Sequence, residues 1–141
     1  MDEVADGVFV GTTEDASDEA LLHEYNIATV VSVTHGEPRS GFLSDMTVEN
    51  VPLIDGPQND SQAFAEAVRT VVAHRESGDR VLVHCSAGAS RSPSVAATAI
   101  ACRSETTLND SFNQVLERRP ETDPHDALVR RAVEFINECS D

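Results

Sequence analysis

The sequence predicts a single-domain α/β/α sandwich with a central, mostly parallel sheet, and three observations carry that prediction. Short apolar stretches rich in β-branched residues alternate with longer amphipathic ones along the whole chain, as strands and helices taken in turn do. One stretch, Val81-Leu82-Val83, is apolar without alternation, the pattern of a strand covered on both faces. The 141 residues, 40% of them hydrophobic, contain no repeat, low-complexity tract or Gly/Ser linker, so one domain over residues 1–141 is expected.

The elements follow from local chemistry. Val8–Gly11 reads as a short strand and Thr12–Ser17 as a polar loop. Asp18–Glu24 reads as a helix capped by Ser17 or Asp18, with acidic residues in its first turn. Ile27–Val33 is a β-branched run expected to form a buried strand, followed by a Gly- and Pro-containing loop over His35–Gly41. Val48–Ile54 alternates as a strand does and ends at Asp55-Gly56-Pro57, a turn signal. Ser61 opens an amphipathic helix with Phe64, Ala67, Val68, Val71 and Val72 on one face, and Gly78-Asp79 closes it. Arg80–His84 holds the central strand. Arg91–Cys102 reads as a small-residue helix buried all round, and Thr107–Arg118 and Asp126–Glu138 as two more, split by Pro120 and Pro124.

Charge sets the surface. There are 25 acidic residues against 10 basic ones, a formal net charge of −15, and every basic position is Arg, never Lys. Such a charge repels itself in dilute buffer, whereas salt near 1 M shortens the Debye length to roughly 3 Å. The composition is similar to that of proteins from salt-loving archaea, and a halophilic source is expected. An acidic surface also argues against general nucleic-acid binding. No apolar run approaches a membrane span and no signal peptide is visible, so a cytoplasmic protein without membrane contact is expected; the oligomeric state stays open, with a monomer expected because nothing suggests an obligate partner. Cys85, Cys102 and Cys139 are odd in number and far apart. That argues against a disulfide scaffold or a paired-ligand zinc site, and leaves Cys102 or Cys139 as conceivable oxidation partners of Cys85.

The chemistry concentrates in His84-Cys85-Ser86-Ala87-Gly88-Ala89-Ser90-Arg91-Ser92-Pro93. It lies between the central strand and a helix, where open α/β sheets bind ligands. The small residues Ser86, Ala87, Gly88, Ala89 and Ser90 let the backbone curl into a nest of N–H groups, and the following helix aims its positive end at the same point. Pro93 suits an early helical position. Arg91 can bind two phosphate oxygens side by side. The cradle that holds an oxyanion also favours a thiolate at Cys85. Ser92 is placed to hydrogen-bond the sulfur, and His84 reads as an organiser of the loop rather than a proton donor.

The run from Val81 through Pro93 resembles the signature of dual-specificity protein phosphatases, within the cysteine-based protein tyrosine phosphatase superfamily. Val8-Phe9-Val10-Gly11 resembles the family's opening strand, Tyr25 to Val31 its first helix-to-strand step, and Arg118-Arg119-Pro120 the segment before its last helix. The resemblance implies a whole catalytic domain of that fold with a Cys85 nucleophile, needing no metal or other cofactor. It also implies a phosphorylated protein as substrate, and a general acid, an Asp just after a strand roughly 30 residues before the Cys. Asp55 fits, 30 residues before Cys85, with Asp60 on the same loop as the runner-up. His23, His35, His74 and His125 read as surface or loop residues.

Other readings remain at this stage. Phosphatase action on a nucleotide, a lipid or an RNA 5′ end would use the same loop, but relatives that process such polyanions carry basic residues inside it, and Ser86, Ala87, Ala89 and Ser90 are uncharged. A phosphate-binding pseudoenzyme would not need Cys85, Arg91 and Asp55 together. A sulfurtransferase also uses a loop cysteine, but the His before it and the Ser after Arg91 fit a phosphatase better.

Overall fold

A computed structural model describes residues 1–34, 46–53, 60–104 and 106–139. Its strands are β1 (Asp2–Ala5), β2 (Val8–Gly11), β3 (Thr29–Ser32), β4 (Thr47–Asn50) and β5 (Val81–His84). Its helices are α1 (Thr13–Ala16), α2 (Glu19–Glu24), α3 (Ser61–Glu76), α4 (Arg91–Ser104), α5 (Leu108–Arg118) and α6 (Asp126–Cys139).

The unalternating Val81-Leu82-Val83 run has its cause in the sheet order β1-β2-β5-β3-β4, which puts β5 in the middle with all three side chains at 0% exposure. Burying each of them stabilises the fold by about 1.5–3 kcal/mol. Strand β5 pairs in parallel with β2 and β3, and β3 in parallel with β4; only β1 runs antiparallel, on the edge beside β2. The expected mostly parallel sheet is therefore present, with one antiparallel edge.

Alternation along the strands divides the core. Val31, Val81 and Val83 face α3, α4 and α6, meeting Phe64, Val68, Val71, Val95, Ala99 and Leu128. Val8 and Val10 lie over Ala96, Ala97 and Ile100 of α4 and Val115 of α5. On the opposite face Phe9, Val30 and Leu82 pack with Ala16 of α1 and Leu22 of α2. This is the three-layer arrangement expected. Helix α4 sits deepest, every residue from Ser92 to Ala101 buried, which its small side chains permit.

Several local expectations need correction. Thr12–Ser17 is not a plain loop. Thr12 caps α1 by accepting from the Asp15 N–H at 3.1 Å, while the Asp15 carboxylate accepts from the Thr12 N–H at 3.0 Å. Of the two caps expected for α2, Asp18 is the one that forms, accepting the Leu21 N–H. The strands expected over Ile27–Val33 and Val48–Ile54 are shorter, at Thr29–Ser32 and Thr47–Asn50. Strand β1 was not expected at all: its acidic residues carry no strand pattern, and it forms by pairing with β2.

His74 is a bridge rather than a free surface residue. Its Nδ1–H donates to Asp79 at 3.0 Å and its Nε2–H to Glu49 at 3.2 Å, tying α3 to β4. Burial disfavours its charge, yet these hydrogen bonds raise its pKa above the ordinary value. His125 accepts the Ala127 N–H on Nδ1 at 3.0 Å, at the start of α6. The loop expected over His35–Gly41 and the turn at Asp55-Gly56-Pro57 lie outside the described residues. No helix among the described residues is long and apolar enough to cross a membrane.

Candidate active site

The carboxyl end of the central strand delivers His84 and Cys85 to the foot of α4, with residues 86–90 looping between them. Cys85 is only 2% exposed. Its N–H donates to the Gly11 carbonyl at 3.4 Å and its carbonyl accepts from Thr13 Oγ1 at 3.5 Å, so β2 and α1 fix the backbone beneath the sulfur. Ser92 Oγ lies 3.2 Å from Cys85 Sγ, and the Ser92 N–H donates to the same sulfur at 3.5 Å. The expected Ser92–sulfur contact is thus present, made by backbone and side chain together.

Arg91 is half-buried and faces two ways. Nη1 donates to the Leu53 carbonyl at 3.2 Å and Nη2 to Ser86 Oγ at 3.3 Å. The first bond reaches the stretch after β4 that runs toward Asp55. Asp55 itself lies outside the described residues. Asp60 is exposed and caps α3, accepting the Gln62 N–H at 2.9 Å, as a helix-starting Asp does.

The loop turns at Gly88, whose φ is 65°. A Cβ there would stand 2.5 Å from Arg119 Nη2 and 2.7 Å from the Gly11 carbonyl oxygen, so both conformation and space require glycine. Three successive carbonyls of the loop, those of Ala87, Gly88 and Ala89, are engaged. Arg119 Nε donates to the Gly88 carbonyl at 2.6 Å and Nη2 to that of Ala87 at 3.3 Å. The Asp123 N–H donates to the Ala89 carbonyl at 2.6 Å, and the His125 N–H to Ser90 Oγ at 2.8 Å. The N–H side differs: among the described residues, no acceptor takes the backbone N–H groups of Ser86 to Ala89.

His84 lies beneath the loop, within electrostatic reach of the Cys85 backbone. It is fully buried, and neither ring nitrogen has a hydrogen-bond partner among the described residues. Burial pushes its pKa down to about 4, outweighing the Cys85 backbone and Asp15, which favour the cation. The ring is therefore a neutral, packed group at pH 7. Above pH 6.5 folded and unfolded chains both hold it neutral; as pH falls toward 4 only the unfolded chain takes up a proton. The stability lost across that window is about 3 kcal/mol. Denaturant titrations of wild type and His84→Gln at pH 7 and pH 4.5 should show the variant losing less on acidification. Equal losses would remove His84 as the cause.

Arg119 was missed as part of this site. Its neighbour Arg118 is exposed while Arg119 is 3% exposed, and nothing in the local pattern separates the two. Its position ahead of Pro120 was the only available signal.

Comparison with known proteins agrees with this geometry. The family model described as "Dual specificity phosphatase, catalytic domain" matches residues 8–138. The chain is 30% identical over 130 residues to Dual specificity protein phosphatase Mpk3 of Drosophila melanogaster, covering 91% of this chain and 32% of that protein. It is 29% identical over 136 residues to Dual specificity protein phosphatase 22 of Xenopus laevis, covering 96% and 64%. It thus spans about a third to two thirds of the length of these relatives. Among solved structures, human DUSP28 superposes with a TM-score of 0.89 at 21% identity, covering 99% of this chain and 98% of the other. The human tyrosine phosphatase-like serine/threonine/tyrosine-interacting protein superposes with a TM-score of 0.87 at 22% identity, covering 100% and 98%. These likenesses establish the fold, and the family match, which spans nearly the whole chain, establishes membership: the chain belongs to the dual specificity phosphatase family through its catalytic domain.

Proposed function

We propose that the chain hydrolyses phosphomonoesters on proteins, phosphotyrosine first and phosphoserine or phosphothreonine as well, through a phosphocysteine on Cys85. One observation carries the reading. Cys85 Sγ has Ser92 at 3.2 Å as a hydrogen-bond partner, at the foot of a loop whose Ser86 to Ala89 N–H groups meet no acceptor among the described residues and whose Ser86 hydroxyl is held by Arg91.

The reaction balances in two steps. The Cys85 thiolate attacks phosphorus, the bond to the leaving oxygen breaks, and Asp55 gives that oxygen a proton. Water then attacks the phosphocysteine, Asp55 takes a proton from it, and the P–S bond breaks to release phosphate and the thiolate. Arg91 and the N–H groups of Ser86, Ala87, Gly88, Ala89 and Ser90 hold the phosphoryl oxygens throughout, and Ser92 hydrogen-bonds the departing sulfur. His84 serves by filling its buried place rather than by proton transfer. The uncharged loop favours a singly phosphorylated target over a polyphosphorylated lipid, nucleotide or RNA 5′ end. Hydrolysis of an aryl phosphate and a panel of phosphopeptides tests the reading; no turnover on any of them would end it.

Assignment of the acid has its own test. Arg91 holds the Leu53 carbonyl, two residues before Asp55, which supports Asp55 over the helix-capping Asp60. Asp55→Ala should slow substrates with poor leaving groups by about 10²-fold or more while sparing activated aryl phosphates. A leaving-group dependence that appears in Asp60→Ala instead would transfer the role.

A further inference from the structure

We infer that Arg119 is a positioning residue for the oxyanion loop, fixing the carbonyl side of residues 87–89 so that their N–H side is left for phosphate. The inference rests on the phosphate-binding reading of the loop given above. A peptide unit presents its N–H and C=O on opposite sides, so a loop that offers several N–H groups to one anion must place its carbonyls elsewhere. Here three successive carbonyls each receive a donor from one short segment beyond α5. Arg119 serves those of Ala87 and Gly88, and the Asp123 N–H serves that of Ala89. The His125 N–H extends the row to the Ser90 hydroxyl.

Arg119 is suited to this by its own anchoring. Its Nη1 donates to Asp2 of edge strand β1 at 2.8 Å, so the guanidinium is held at one end by the sheet and grips the loop with the other. It is 3% exposed, and its contacts with Gly88 leave no room for a Cβ there. A lysine could not reproduce this, because three bonds leave a planar guanidinium in fixed directions. Arg119 touches no reacting atom. Its effect passes through the backbone of Ala87 and Gly88.

The test reads phosphate affinity directly. Titration of inorganic phosphate into Cys85→Ser, which cannot turn over, is compared with the same titration into Cys85→Ser/Arg119→Ala and Cys85→Ser/Arg119→Lys. Affinity should weaken about tenfold or more with Ala and by a smaller factor with Lys, since displacing oxyanion donors by about 1 Å costs on the order of 10²-fold in rate. In the active background, Arg119→Ala should lower kcat and raise KM for an aryl phosphate. Guanidinium chloride at tens of millimolar, against a matched KCl control, should restore part of the rate. Arg118→Ala, an equal loss of charge at the exposed neighbouring position, should leave phosphate affinity unchanged.

A purely structural role predicts something else: a lower melting temperature with phosphate affinity of the folded protein within twofold of the parent and no guanidinium rescue. That result overturns the inference. If the Ala variant does not fold, the Lys variant decides, and parent-like affinity in it overturns the inference equally. A parent protein that neither binds phosphate nor hydrolyses any aryl phosphate removes the phosphatase reading itself, an outcome distinct from these.

Discussion

Cys85→Ser should abolish turnover on every phosphomonoester, by at least about 10⁴-fold, while inorganic phosphate still binds. The two halves of that expectation have separate causes. Turnover needs an ionised sulfur, and a serine hydroxyl at the same place stays protonated at neutral pH, with no general base within reach in the described site. Ser92, 3.2 Å away, is itself only a hydroxyl and supplies no base. The proposed binding depends on Arg91 and on the N–H groups of Ser86 to Ala89, which meet no acceptor among the described residues, and the substitution alters none of these. With those donors left in place, phosphate affinity should hold. Steady-state assays with an aryl phosphate and calorimetric titration with phosphate measure the two halves. Turnover in Cys85→Ser within tenfold of the parent would remove the phosphocysteine mechanism, and loss of phosphate binding alone would show that the sulfur shapes the pocket.

What could be read from the sequence follows a physical boundary. The loop from His84 to Ser92 was legible because its chemistry is contiguous: strand, nucleophile, small residues, Arg and helix start all fall within a dozen positions. The central strand was legible because burial on both faces leaves an unbroken apolar run at Val81–Val83. Arg119 was not, since its partners are Asp2, Ala87 and Gly88, all far away in sequence, and only the folded chain brings them together. Strand β1 was hidden for the same reason. Asp2 and Glu3 become strand residues by pairing with Val10 and Phe9, and nothing in their own composition asks for it. The α1 turn is a different kind of miss. Thr12 and Asp15 sit three apart, as a capping box requires, and the signal was present but read as polar loop.

His84 keeps the place expected of a loop organiser, and burial dominates the physics there. Neither ring nitrogen meets a hydrogen-bond partner among the described residues, and burial holds the ring neutral against the opposing pull of the Cys85 backbone. The loop is organised from its other side, by the segment from Arg119 to His125. Fold alone would not have settled these roles, since one fold hosts many functions and one of the human proteins that shares it is named only as phosphatase-like. The case for catalysis rests on what surrounds the Cys85 sulfur.

Arg91→Lys should lower kcat/KM by about 10³-fold or more, although the charge is kept. Two losses combine. A guanidinium meets two phosphoryl oxygens with parallel bonds, and an ammonium cannot do so with comparable geometry. The second loss is particular to this chain: Arg91 also holds the Leu53 carbonyl at 3.2 Å, tying the loop to the stretch that leads to Asp55. Lysine has no second donor on a rigid fork to keep that tether while facing phosphate. Under the role proposed for Asp55, the variant should therefore show a steeper dependence on leaving-group pKa than the parent, because proton donation would suffer along with phosphate binding. Arg103→Lys, exposed at the far end of the same helix, should match the parent in both respects. If Arg91→Lys loses rate equally for good and poor leaving groups, the tether plays no part in placing the acid, and Arg91 acts on the phosphoryl group alone. A rate within tenfold of the parent would show that point charge suffices, and that the fork geometry around Cys85 is not what holds the transition state.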